Sequence, residues 1–149
     1  RIVRTLKGYG RVFITSESKL HPWFEAYRMR IEPHRIHDAL YYARMFVGDS
    51  QSMTIEAALL GTPALRCNSM VGRTTILQEL EHKYTLCYGY LPQDLEALTA
   101  KIEALAPREG LRREWERKRD RLIDDKVDFT DWIVTFIERY AEKEGLCGY

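Results

Sequence analysis

The chain has 149 residues, 45% apolar and 30% charged, which is the composition of a folded globular chain and excludes a disordered one. Its length suits one domain, or half of a two-domain protein, and a chain of this size buries about 68–70% of its unfolded surface without help from disulfides. The 23 basic and 22 acidic side chains leave a net charge of +1, so electrostatics make no case for a nucleic-acid or membrane-surface partner.

Residues 2–7 read as the end of a helix broken by Gly8 and Gly10. The β-branched run 11–15 (RVFIT) predicts a strand ending in the polar loop Ser16-Glu17-Ser18, and residues 27–31 predict a second short strand. Pro33 stands at a first helical position, and a helix follows over 34–44 with Ile36, Ala39, Leu40 and Ala43 on one face. Then come a strand at 45–47, a helix at 52–60, a strand at 63–67, a helix at 74–82 and a strand at 84–88. Pro92 opens a helix carrying Leu95, Leu98, Ile102 and Leu105 at helical spacing. This alternation predicts an α/β fold with an open, Rossmann-like parallel sheet flanked by helices. Residues 1–106 form that core, and 107–149 supply two charged helices, 111–124 and 129–144, within a single domain.

Cys67, Cys87 and Cys147 match no zinc or redox spacing, and the first two fall in predicted core strands. They read as small apolar residues in a reducing, cytoplasmic setting. No stretch is long and apolar enough to cross a membrane, and no signal peptide is visible. The opening residues RIVRTLKGYG resemble a helix caught mid-course, so a fragment of a longer protein is expected. His34 and His37 stand three apart beside Asp38 but lack a third ligand, so no metal site is expected.

The stretch MFVGDSQSMTIEAALLGTPALRC carries the chemistry. A strand ends at Gly48-Asp49-Ser50, and a helix begins that Ser50 and Ser52 can cap. The helix then stops at Gly61-Thr62-Pro63. In an open parallel sheet such a handover is where ligands bind, and the free N–H groups of the helix start suit a diphosphate. Glu56 follows Ser52 by one turn on the same face, where a carboxylate can accept both hydroxyls of a ribose. The same pattern also describes an ordinary capped helix with a solvated Glu.

DSQSMTIEAALLGTPAL resembles the nucleotide-binding signature of glycosyltransferases and sugar epimerases of the GT-B fold, which is built from two Rossmann-like domains. Bacterial UDP-N-acetylglucosamine 2-epimerases carry a string of the form DSGGIQEEA there. The N-acetylglucosaminyltransferase that makes lipid II shares the serine, the Glu and the Gly-x-Pro stop. With RIHDALYYARMFVGDS and FTDWIVTFIERY included, the whole chain is most similar to an uncharacterised prokaryotic family of predicted GT-B proteins related to both, as their C-terminal half. The resemblance implies nucleotide-sugar binding, UDP-sugar above all. Backbone amides at Ser50, Gln51, Ser52 and Met53 would hold the diphosphate, and Glu56 the ribose. It implies a missing N-terminal domain that supplies the catalytic base, so no catalytic residue is named, and no metal or other cofactor. Gln51 and Ser52 replace the paired glycines of the epimerases, and side chains there crowd a phosphate near the backbone. That departure favours the alternative of a non-catalytic α/β interaction module that has kept the fold and lost the ligand.

Ser16 would come toward the phosphates from the first strand, as a polar loop does in the related transferases. Arg66 and Arg73 flank the loop RCNSMVGR, where the epimerases put phosphate-facing residues; Arg73 is the candidate, and a surface arginine without such contact is the competing reading. A phospho-accepting receiver domain is disfavoured, because RVFITSES lacks an acidic pair and YTLCYGY lacks a Lys. The helix at 111–124 interleaves its charges as a solvated face does. In the last helix Trp132, Ile133, Phe136, Ile137 and Tyr140 make one apolar stripe. That stripe must pack on its own sheet, pair with another chain as a homodimer, or stay exposed.

Overall fold

A computed structural model describes residues 1–143; Cys147 and the expected helix end at residue 144 lie outside the described residues. The fold is α/β. Three parallel strands, β1 (Phe46–Gly48), β2 (Ala64–Cys67) and β3 (Cys87–Tyr90), pair in the order β1-β2-β3. Around them stand α1 (Ile2–Lys7), α2 (Ile36–Tyr42), α3 (Gln51–Leu59), α4 (Thr75–Gln78, running on as a π-helical turn Glu79–Lys83) and α5 (Leu95–Leu105). α6 (Leu111–Asp124) and α7 (Phe129–Lys143) follow. The chain divides into two compact units, 1–119 and the residues from 120 onward.

β2 is the buried middle strand: Pro63, Ala64, Leu65 and Arg66 are all closed to solvent. A parallel strand covered on both faces reads as a short continuous run, which PALRC is. Around it pack Ala57 and Ala58 of α3, Leu77 and Leu80, Leu86, Leu98 and Ile102 of α5, and Trp115 of α6, each 3% exposed or less. Small residues on α3 let it lie close to the sheet. The helix ends at Gly61, whose φ of +72° needs glycine, and Thr62 donates its hydroxyl to the Leu40 carbonyl at 2.8 Å.

Several sequence expectations are corrected. Residues 11–15 and 27–31 do not join the sheet. They meet only in one parallel bridge, Ile14 with Arg28, made by Ile14 N–H to Tyr27 O at 2.8 Å and Met29 N–H to Ile14 O at 2.9 Å. The β-branched residues of 11–15 fit it to pair, but among the described residues no further strand stands beside the bridge, and Phe13 remains 55% exposed. The third strand starts at Cys87 and not at residue 84. Tyr84 N–H closes the π-helical turn on Glu79 O at 3.3 Å, and Thr85 then takes a left-handed φ of 54°, so extension can begin only afterwards. Ile36, expected in the core, is half-buried, and so is Cys67, whereas Cys87 is buried.

In the second unit, α7 is capped by Asp128, whose Oδ1 accepts the N–H groups of Thr130 and Asp131 at 2.9 and 3.2 Å. Its rings stack in series, Phe129 on Trp132, Trp132 on Phe136 and Phe136 on Tyr140, with centroids 5.8, 5.5 and 6.5 Å apart. All four rings are more than half exposed among the described residues, while Ile133 of the same stripe is half-buried. No helix among the described residues is long and apolar enough to cross a membrane.

Trp115 fills the core and donates its indole N–H to the Leu86 carbonyl at 2.8 Å. Trp115→Phe leaves that carbonyl unpaired beside a partial cavity and is expected to cost roughly 2–3 kcal/mol, read from the urea midpoint at constant m-value. A loss under half a kcal/mol would show that the indole does not anchor α6.

Candidate functional site

The carboxyl ends of the three strands meet at Asp49-Ser50, Cys67-Asn68 and Tyr90-Leu91. Ser50 caps α3: its Oγ accepts Met53 N–H at 3.3 Å, and its carbonyl accepts the Thr54 hydroxyl at 2.6 Å. Ser52 Oγ lies 3.3 Å from Ser50 Oγ. The leading N–H groups of a helix have no helical acceptor, so those of Gln51 and Ser52 remain for something outside it. This nine-residue helix therefore presents donors and the positive end of its dipole at the carboxyl edge of the sheet.

The 68–74 loop is tied across that edge. Asn68 donates its Nδ2 to the Asp49 carbonyl at 2.6 Å, its backbone N–H to Tyr90 O at 3.2 Å, and accepts Met70 N–H on Oδ1 at 2.9 Å. One residue, through its side chain and its backbone, thus joins the ends of all three strands. Thr74 donates its hydroxyl to Gln51 Oε1 at 2.7 Å, and Gln78 donates to Gly72 O. Gln51, expected to crowd the anion site in place of a glycine, has its side chain drawn aside onto the loop.

Glu56 projects one turn further along α3, with its Oε2 3.4 Å from His37 Nε2 of α2 and its side chain 37% exposed. It is reachable, and an imidazolium at His37 would pair with it. Arg73 is exposed, and its guanidinium makes no hydrogen bond or ion pair among the described residues. Ser16 follows the run 11–15, which lies outside the sheet, and its Oγ accepts Ser18 N–H at 3.2 Å in a local turn.

Arg66 corrects the surface reading. It is 2% exposed, on the central strand, and its Nε and Nη1 have no hydrogen-bond partner among the described residues. Its register neighbours are both glycines, Gly48 on β1 and Gly89 on β3. A Cβ at Gly89 would stand 3.0 Å from Val71 Cγ1 and 3.1 Å from both Arg66 Nη2 and Glu81 Oε2, so glycine is what lets these groups converge. Leaving a buried donor unbonded costs about 1–3 kcal/mol, and more for a charged one. Sequence reasoning missed Asn68 and Thr74 and misplaced Arg66. An Asn directly after a strand is a known turn-former, and was the one legible signal.

The chain matches no protein-family model, no curated protein and no solved structure with which it was compared.

Burial pushes the Cys87 thiol up to about 12 from its ordinary 9.0, with the Glu81 carboxylate adding to the rise and Arg66 opposing it. Burial and then Glu81 push Tyr90 up to about 12 from 10.0. Both groups hold their protons more tightly folded than unfolded. Their contribution is therefore whole below about pH 9 and is lost as pH climbs toward 12. The urea-unfolding free energy should fall above pH 9, with Cys87 alone giving a slope near 1.4 kcal/mol per pH unit. Cys87→Ala should flatten that slope; an unchanged slope would reject the assignment.

Proposed function

We propose that this domain binds the nucleoside diphosphate half of an activated sugar, with UDP as the first candidate nucleotide. The observation that carries the reading is the capped start of α3 at the carboxyl edge of a parallel sheet, with free N–H groups at Gln51 and Ser52 and the Glu56 carboxylate one turn on. Helix-start donors suit phosphoryl oxygens, and a carboxylate at that spacing suits a ribose diol. Arg73, unpaired on the adjoining loop, adds a cation that can turn onto the diphosphate. The resemblance of DSQSMTIEAALLGTPAL to GT-B nucleotide-binding signatures supports the same ligand. On that reading the parent protein catalyses glycosyl transfer, or epimerisation through loss and return of the nucleotide. A second, N-terminal Rossmann-like domain brings the catalytic base, and this domain by itself catalyses nothing.

Titration with UDP, UDP-N-acetylglucosamine and dTDP, followed by amide chemical shifts, tests this. Shifts should cluster at residues 50–56, and Glu56→Ala should weaken UDP binding about tenfold, the equivalent of one charge-assisted hydrogen bond. No response to any nucleotide at millimolar concentration would overturn it.

The uncovered ladder on α7 favours a second reading, an interaction module that pairs with a second copy of itself. Asp128 and Asp131 near the start of the helix and Arg139 and Lys143 near its end line the same groove beside Trp132 and Phe136. Antiparallel pairing sets each acidic end against a basic one, which is the self-complementarity a two-fold interface requires. Light scattering should then give a dimer mass that Trp132→Asp reduces to a monomer. A monomer at all concentrations would exclude this pairing.

A further inference from the structure

Among the described residues, Arg66 is the buried arginine that leaves both Nε and Nη1 unbonded, whereas Arg112 leaves only Nη2 so. Arg44 donates to the carbonyls of Ala106 and Arg108 at 2.6 and 3.0 Å, and Arg112 pairs with Glu116 at 2.8 Å. Arg66 makes no such bond, although Glu81 Oε2 converges with its Nη2 over Gly89. Glu81 instead gives Oε1 to the Gly89 N–H at 2.9 Å. A guanidinium cannot escape burial by losing its proton, so the fold holds, at the carboxyl end of its central strand, a buried cation with Glu81 beside its Nη2 and no acceptor on Nε or Nη1. The cover over that charge is the 68–74 loop, whose Val71 stands against Gly89 and whose Thr74 is tied to Gln51 in the first turn of α3. The same loop exposes Ser69, Met70 and Arg73, and turns at Gly72 with φ of +82°.

We propose that Arg66 is the buried counter-charge for a phosphoryl group, taken up beneath the 68–74 loop. The proposal rests on the nucleoside diphosphate reading and adds to it a residue of the sheet itself. Charge-assisted donation to a phosphoryl oxygen supplies what Nε and Nη1 lack, and it does so more strongly than a neutral acceptor would. Uptake requires the loop to lift, which breaks the Thr74–Gln51 bond and frees Gln51 beside the helix start. Glu81 opposes the incoming anion and so weakens its binding. A cation kept for a ligand is a burden without one, whereas a cation kept for the fold is not, and that difference makes the role measurable.

Thermal midpoints and titrations with inorganic pyrophosphate and UDP test it on the wild type, Arg66→Met and Glu81→Gln. The wild-type midpoint should rise with pyrophosphate. Arg66→Met, which keeps the length of the side chain and removes its charge, should match or exceed the wild-type midpoint without ligand and bind pyrophosphate at least about tenfold more weakly. Glu81→Gln, which keeps an acceptor for Gly89 N–H, should bind pyrophosphate several-fold more tightly. An Arg66→Met midpoint several degrees lower with pyrophosphate affinity retained would overturn the proposal and make Arg66 structural. Should Arg66→Met not fold, a Glu81→Gln affinity no better than wild type overturns it equally. UDP shifts at residues 50–56 that persist unchanged in Arg66→Met would sink this inference while leaving the nucleotide reading intact. A wild type blind to both UDP and pyrophosphate would remove both.

Discussion

The α/β unit depends on the pairing of β2 with both of its neighbours. Ala64, Leu65 and Arg66 bond to β1 on one side and β3 on the other, and helices close over both faces. A strand in that position must satisfy its backbone entirely through the ladder, because no water reaches it. The consequence is a fixed register, and the register decides what stands at the carboxyl edge. It sets Gly48, Arg66 and Gly89 side by side, and so delivers Asp49, Cys67 and Tyr90 to one rim.

Polar ties then convert that rim into a defined surface. Asn68 reaches the ends of β1 and β3 from the end of β2, and Thr74 fastens the far end of its loop to α3. Carbonyls at strand ends would otherwise be left to solvent, so the Asn68 bonds satisfy backbone groups, and together with the Thr74–Gln51 bond they position the loop. The helix start keeps its leading donors free because the Ser50 hydroxyl accepts only Met53 N–H. An edge organised in this way sets the backbone donors of the helix start and the guanidinium groups of Arg66 and Arg73 among the carboxylates of Asp49, Glu56 and Glu81.

The segment 48–63 was legible because its signals are local. A capping serine, small residues on the buried face of a helix and a Gly-Thr-Pro stop act within a few residues of one another, and the structure places the helix at 51–59 against an expected 52–60. The runs 11–15 and 27–31 were misread for the complementary reason. Strand propensity measures fitness to pair, and whether a partner arrives is settled elsewhere in the chain. The late start of β3 has a still more particular cause, a π-helical closure at Tyr84 and the left-handed turn at Thr85, neither of which hydrophobic periodicity encodes.

The sequence by itself determined the α/β class, the strand–helix handover at Ser50, the spacing of Glu56 and the apolar stripe of α7, all of which follow from short-range chemistry. Only the tertiary structure decided that Gln51 turns away onto Thr74, that Asn68 joins the strand ends, and that Arg66 is buried unpaired rather than solvated. Each of those depends on which strands become neighbours and in what register, a long-range outcome of burying β2 that no window of residues contains.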